Sequence, residues 1–126
     1  MKADTLLLRQ INPGFVQAGR VTSQAFRPSK KDNKKLSVYD GNLISAPDSY
    51  RHWTEMLSLS SCGTLGVSCG ECTAESLTCV PDPKHFEEHA LIEFTSLESK
   101  SEIEDKAKIL RDIALARGWL YVPISN

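Results

Sequence analysis

The sequence predicts an α+β fold: a single domain over residues 1–126, with a mixed or mostly antiparallel sheet of about six strands and two main helices packed on it. Three observations predict it. Short apolar or β-branched runs, each bounded by Gly, Pro, Asn or Asp, recur along the chain. Only two stretches carry a sustained helical period. Three of the predicted strands precede the first helix, which disfavours the strict strand–helix alternation of a parallel doubly wound sheet. A chain of 126 residues with 40% hydrophobic residues is long enough to bury one core.

Thr5–Ile11 is the first expected strand, closed by the turn signal Asn12-Pro13-Gly14. Arg20–Arg27 is the second, stopped by Pro28, which has no amide hydrogen for a ladder. Ser29–Lys35 carries four lysines and reads as a solvated loop. Leu36–Tyr39 is a short strand ending in the turn pair Asp40-Gly41. Ser45 caps a helix expected to run to about Leu57, with Trp53, Met56 and Leu57, and Tyr50 or Ser49 one turn before, on its inner face.

Gly63–Cys69 alternates large and small residues, as a buried strand does. A Cys69-Gly-Glu-Cys72 turn, a short helix over Thr73–Leu77 and a strand over Thr78–Val80 follow. His89–Thr95 is the next strand. Ser101 with Glu104 has the spacing of a capping box, opening a helix to Arg117 whose inner face is Ile103, Ala107, Leu110, Ala114 and Arg117, widened by Ile109, Ile113 and Ala116. Gly118 suits the stop, and Leu120–Ile124 is expected as a terminal edge strand. The organising expectation is that the Gly63–Cys69 and His89–Phe94 strands share one sheet, backed by the long helix.

A formal net charge of -1 gives no general drive toward nucleic acid or anionic lipid. No apolar run approaches the ~20 residues of a membrane span. Leu6–Leu8 is too short for a secretory core, so a cytoplasmic, reducing setting is expected. No cofactor-binding motif is present: there is no Gly-rich phosphate loop and no Gly-x-Ser-x-Gly element.

Two groups of residues can carry chemistry. Cys62, Cys69, Cys72 and Cys79, with His85 or His89 nearby, contain one Cys-x-x-Cys pair, where a zinc site usually has two such knuckles. The plainer alternative is that the strand cysteines are small buried hydrophobes. Cys69 to Cys72 ahead of a helix also has the order that lowers a thiol pKa, although Glu71 opposes a thiolate. The second group is Arg9, Ser23, Gln24, Tyr39, His52 and His89. If their strands are neighbours, Arg9 can hold a phosphate or carboxylate in a cleft that Ser23, Tyr39 and His89 share. The plainer alternative for Arg9 is an outward position on an edge strand.

Leu8-Arg9-Gln-Ile-Asn-Pro13, Ser23-Gln-Ala-Phe26-Arg-Pro28, Leu36-Ser-Val38 and His89-Ala-Leu-Ile92 resemble an uncharacterised family of small bacterial proteins, over about residues 5 to 95. The resemblance implies a bacterial source and no assigned chemistry. The family has no cysteines where this chain has Gly66–Cys72, a departure that weakens the zinc and thiol alternatives. A looser likeness is to small ADP-ribosyltransferase-like toxins. It would place Arg9, Ser23 and Tyr39 at a nicotinamide cofactor, with Glu93 as the only strand candidate for the catalytic Glu.

Three functions follow as expectations. The first is a non-enzymatic module that binds a protein partner or a second copy through an edge strand at Leu120–Ile124. The second is an enzyme or binder acting on a phosphate-bearing ligand through Arg9, Ser23, Tyr39 and His89, with Glu93 as a further candidate. The third is a zinc-stabilised binding module.

Overall fold

The computed structural model describes residues 1–124. Its main sheet has five strands in the order β5-β1-β4-β7-β6: β1 (Leu6–Gln10), β4 (Lys35–Asp40), β5 (Thr64–Ser68), β6 (Thr78–Pro81) and β7 (His89–Glu93). Every pairing in it is antiparallel. Strands β2 (Val16–Gln17) and β3 (Arg20–Val21) form a separate two-stranded ribbon. Three α-helices complete the fold: α1 (Ala46–Arg51), α2 (Cys69–Ala74) and α3 (Lys100–Arg117). The Gly63–Cys69 and His89–Phe94 segments do lie in one sheet, two strands apart.

Alternation along the strands separates two faces. Leu7, Leu36, Val38, Leu65, Val67, Ala90 and Ile92 are buried on one of them. Against that face pack Phe26, Cys72, Leu77 and the Ala107, Leu110, Ala114 stripe of α3. Each fully buried Leu, Ile or Phe contributes ~1.5–3 kcal/mol by removal from water. Leu8, Gln10, Ser37, Tyr39, His89 and Leu91 alternate onto the other face. There α1 docks through a polar knot: Gln10 Nε2 donates to Ser49 Oγ at 2.8 Å, while Gln10 Oε1 accepts from Thr64 Oγ1 at 2.9 Å and Ser61 Oγ at 3.1 Å.

Several local expectations are corrected. The strand expected over Arg20–Arg27 stops at Val21, and Ser23–Phe26 forms a 3-10 helix that turns Ala25 and Phe26 into the core. After Arg51 the first helix widens into a π-helical turn over His52–Met56, which rotates the expected inner face outward. Ser49, one of the two residues expected a turn before Trp53, is buried, while Met56 is 74% exposed; on α3, Ala116 and Arg117 are exposed and not part of the inner face. Cys69–Cys72 is no turn but the opening of α2, because Ser68 and Glu71 cap it reciprocally. The capping box of α3 is Ser99 with Glu102, two residues earlier than expected, so Glu104 is left to bind elsewhere. Residues 120–124 form no strand: Tyr121 makes one antiparallel bridge to Thr64 and closes that end of β5.

Candidate functional site

β1 and β4 are in register only at Leu7–Asp40 and Leu8–Tyr39. Beyond Leu8 the ladder ends, and the Arg9 side chain takes its place. Arg9 Nε donates to the Ala25 carbonyl at 2.7 Å, and Nη1 donates to the Ser37 carbonyl at 3.0 Å. A carbonyl that would have met a strand amide meets a guanidinium instead. Burial lowers Arg9 to about 10, so it stays cationic at neutral pH. Among the described residues no carboxylate forms an ion pair with it.

The opening above this split is a cleft of about 250 Å³. Its floor holds Leu8, Arg9, Ser37, Tyr39 and His89, and its walls are Trp53, Leu57, Leu59 and Phe86. Phe86 lies between the two histidines, tilted against His52 with centroids 4.6 Å apart and edge-on to His89 at 5.0 Å. The Tyr39 hydroxyl lies 2.8 Å from His52 Nδ1. Burial, and then the Glu88 carboxylate, push the Tyr39 phenol above its ordinary value, so it is a neutral hydroxyl here.

His89 sits opposite Tyr39 and diagonally across from Ser37 on the same sheet face. Its Nδ1 faces two acceptors, the carbonyl and the Oδ2 of Asp82, both at 3.0 Å. Two acceptors require Nδ1 to carry the hydrogen. Nε2 of the neutral ring is then a lone pair, and it receives the Ser37 hydroxyl at 3.1 Å. The result is an Asp82–His89–Ser37 relay at the cleft floor.

The structure therefore brings Tyr39 and His89 together on one sheet face, with His52 behind Tyr39; Arg9 also lines the cleft, but it pairs with Leu65, so its side chain enters from the core side, through the gap between β1 and β4. It does not bring Ser23 there. Ser23 is buried beside α3, where its hydroxyl donates to Glu104 Oε1 at 2.5 Å, because the 3-10 turn points it away from the sheet. Gln24 is exposed on that same turn. Glu93 stands at the far end of β7, 3.8 Å from Lys35 Nζ, and does not line the cleft. Sequence reasoning missed Ser37 and Asp82. The available signal was Ser37 itself, a polar residue between Leu36 and Val38 that shares a strand face with Tyr39.

The four cysteines are free thiols, and no group of three or more His, Cys, Asp or Glu among the described residues is arranged to hold a metal ion. Cys69 and Cys72 are buried on α2, and Cys62 and Cys79 are half-buried against the core. Burial, then contact with the Cys79 thiol, raises the Cys69 thiol. Contact with Cys72, then burial, raises Cys79. Both shifts oppose the thiolate that redox or metal chemistry requires. No helix among the described residues is long and apolar enough to cross a membrane.

In comparisons with protein-family models, curated proteins and solved structures, nothing matches this chain. The site's chemistry rests on its own geometry.

Proposed function

We propose that the cleft binds a small ligand with an apolar body and a carboxylate or phosphoryl head, the head held by Arg9. One observation carries this reading: Arg9 is a half-buried cation lining the cleft at the gap between β1 and β4, with no carboxylate paired to it among the described residues. Two carbonyls take Nε and Nη1, and the guanidinium has further N–H donors to offer a carboxylate or phosphoryl oxygen. Leu8, Trp53, Leu57, Leu59 and Phe86 supply the apolar surround that small-molecule sites favour. A volume of about 250 Å³ suits a compact ligand and is small for a dinucleotide. The nicotinamide-dependent alternative loses support for that reason, and because Ser23 and Glu93 lie outside the cleft.

The test is a heteronuclear NMR titration of the wild-type protein with butyrate, phenylacetate and phenyl phosphate. The expected result is saturable shifts at Leu8, Tyr39, Phe86 and the Arg9 Nε–H at millimolar ligand. Unchanged spectra with all three ligands would reject the reading.

A second reading keeps a protein-interaction role. Its support is the outer edge of β6, which pairs only with β7 among the described residues, together with the exposed Met56 and the exposed Leu57 and Leu59 that line the cleft. The bacterial likeness of the sequence and its four free thiols support a bacterial, cytoplasmic setting for either reading.

A further inference from the structure

From the Asp82–His89–Ser37 relay we infer that the cleft is a hydrolytic centre for carboxylic esters, with Ser37 as the nucleophile. The inference rests on the proposed binding of a carboxylate head by Arg9, since that carboxylate is the product such an ester would leave.

Three features carry it. The contacts of the relay, 3.0 Å from His89 Nδ1 to Asp82 Oδ2 and 3.1 Å from His89 Nε2 to Ser37 Oγ, lie within the reach of a nucleophile, a base and an orienting carboxylate. The hydrogen on Nδ1 is fixed by two acceptors, which leaves Nε2 as the base. Ser37 and His89 both line an open cleft, so the hydroxyl is accessible to a ligand. Arg9 adds an electrophilic partner. Its Nη1 donates to the Ser37 carbonyl in the gap between β1 and β4, which sets the guanidinium against the main chain of the residue that carries the nucleophile. It is the one lysine or arginine in the cleft lining.

The reaction runs in two balanced steps. Ser37 Oγ bonds to the ester carbonyl carbon as its proton passes to His89 Nε2. The carbonyl oxygen carries the developing negative charge toward Arg9. The carbon–alkoxy bond then breaks, and His89 returns the proton to the departing alcohol. Water next adds to the acyl carbon, giving its proton to His89 and on to Ser37 Oγ as the acyl–serine bond breaks. The carboxylic acid product ionises and leaves its carboxylate against Arg9. His89 is the catalytic base. Asp82 is a positioning residue that acts through it.

The experiment exposes the wild-type protein to an alkyl fluorophosphonate and to p-nitrophenyl butyrate, with butyrate binding followed by NMR on the same sample. The expected result is one phosphonate adduct, mapped by peptide mass spectrometry to Ser37, and hydrolysis of the ester with an acyl burst. Ser37→Ala should take no adduct. His89→Gln should slow labelling about 100-fold or more. Asp82→Asn should lower kcat while leaving KM and butyrate binding unchanged, a split that a merely structural role would not produce. Butyrate binding without an adduct on Ser37 overturns the inference and leaves the binding reading standing. Loss of both overturns both. The wild-type labelling decides the matter even if a variant fails to fold.

Discussion

His89 Nε2 lies 3.1 Å from the Ser37 hydroxyl, while Nδ1 of the same ring lies 3.0 Å from two oxygens of Asp82. These contacts join the middle of β4, the start of β7 and the residue that follows β6. The ladder makes this possible, because Tyr39 pairs with His89 and Ser37 with Leu91, leaving Ser37 and His89 as diagonal neighbours.

The two acceptors at Nδ1 predict a single tautomer for the neutral ring. Nitrogen-15 shifts of the neutral His89 ring should show a protonated Nδ1 and an unprotonated Nε2. In Asp82→Ala the second tautomer should grow, since only the backbone carbonyl remains. A wild-type ring protonated mainly at Nε2 would remove the base from the relay.

Arg9→Leu should destabilise the fold by about 2–5 kcal/mol. Its Nε and Nη1 satisfy the Ala25 and Ser37 carbonyls where the β1–β4 ladder has ended, and each buried acceptor left without a donor costs ~1–3 kcal/mol. Urea unfolding measures the difference. A loss below ~1 kcal/mol would mean that water replaces the guanidinium without penalty.

The sheet was readable because period-2 alternation and turn residues mark β1, β4, β5 and β7 directly. The stripe of α3 was readable for the same reason at period 3.6. What was not readable depended on tertiary context. Ser23–Phe26 has strand-like composition, yet Phe26 gains more by turning into the core than a ladder would give it. Ser99 and Ser101 both have a glutamate three residues on, and only docking decides which one caps. In the site, Arg9, Tyr39 and His89 stood out as polar residues in apolar strands. Ser37 was read only as part of the Leu36–Tyr39 strand, and its meaning came from the register that sets it beside His89. Asp82 lay in a loop whose course no local pattern fixes.

Acid should weaken the contact between α3 and the Ser23–Phe26 turn. The Ser23 hydroxyl, with Arg27 contributing next, holds the Glu104 carboxyl below its usual range. A depressed carboxyl contributes stability above its unfolded value of about 4.3, and that contribution is lost as pH falls through the folded value. Glu104→Gln should therefore flatten the stability profile below about pH 4.5. Parallel wild-type and variant profiles through that window would show that the contact is not coupled to folding.

Cys69, Cys72 and Cys79 should resist iodoacetamide in the native protein at neutral pH. Cys72 is fully buried, and the thiols of Cys69 and Cys79 are pushed up, away from the reactive anion. Peptide mapping after a short pulse should find them modified only once urea is added. Rapid native alkylation at Cys69 or Cys72 would reopen thiol chemistry on α2.

Gly63→Ala should release the segment after α3 from the edge of β5. A Cβ at Gly63 would lie 2.8 Å from the Trp119 ring and 2.8 Å from the Tyr121 carbonyl oxygen, at a φ of +154°. The ring can swing aside, but the carbonyl is held, because it accepts the Thr64 amide at 2.9 Å. The Thr64 carbonyl in turn accepts the Leu120 amide, also at 2.9 Å. Relieving the clash breaks both bonds, at an expected cost of about 1–3 kcal/mol. Amide hydrogen exchange is the direct readout: protection at Thr64 and Leu120 should drop while that of β4 and β7 is retained. Unchanged protection at both amides would mean that the segment can shift as a unit, and that the closed edge of β5 does not depend on Gly63 lacking a side chain.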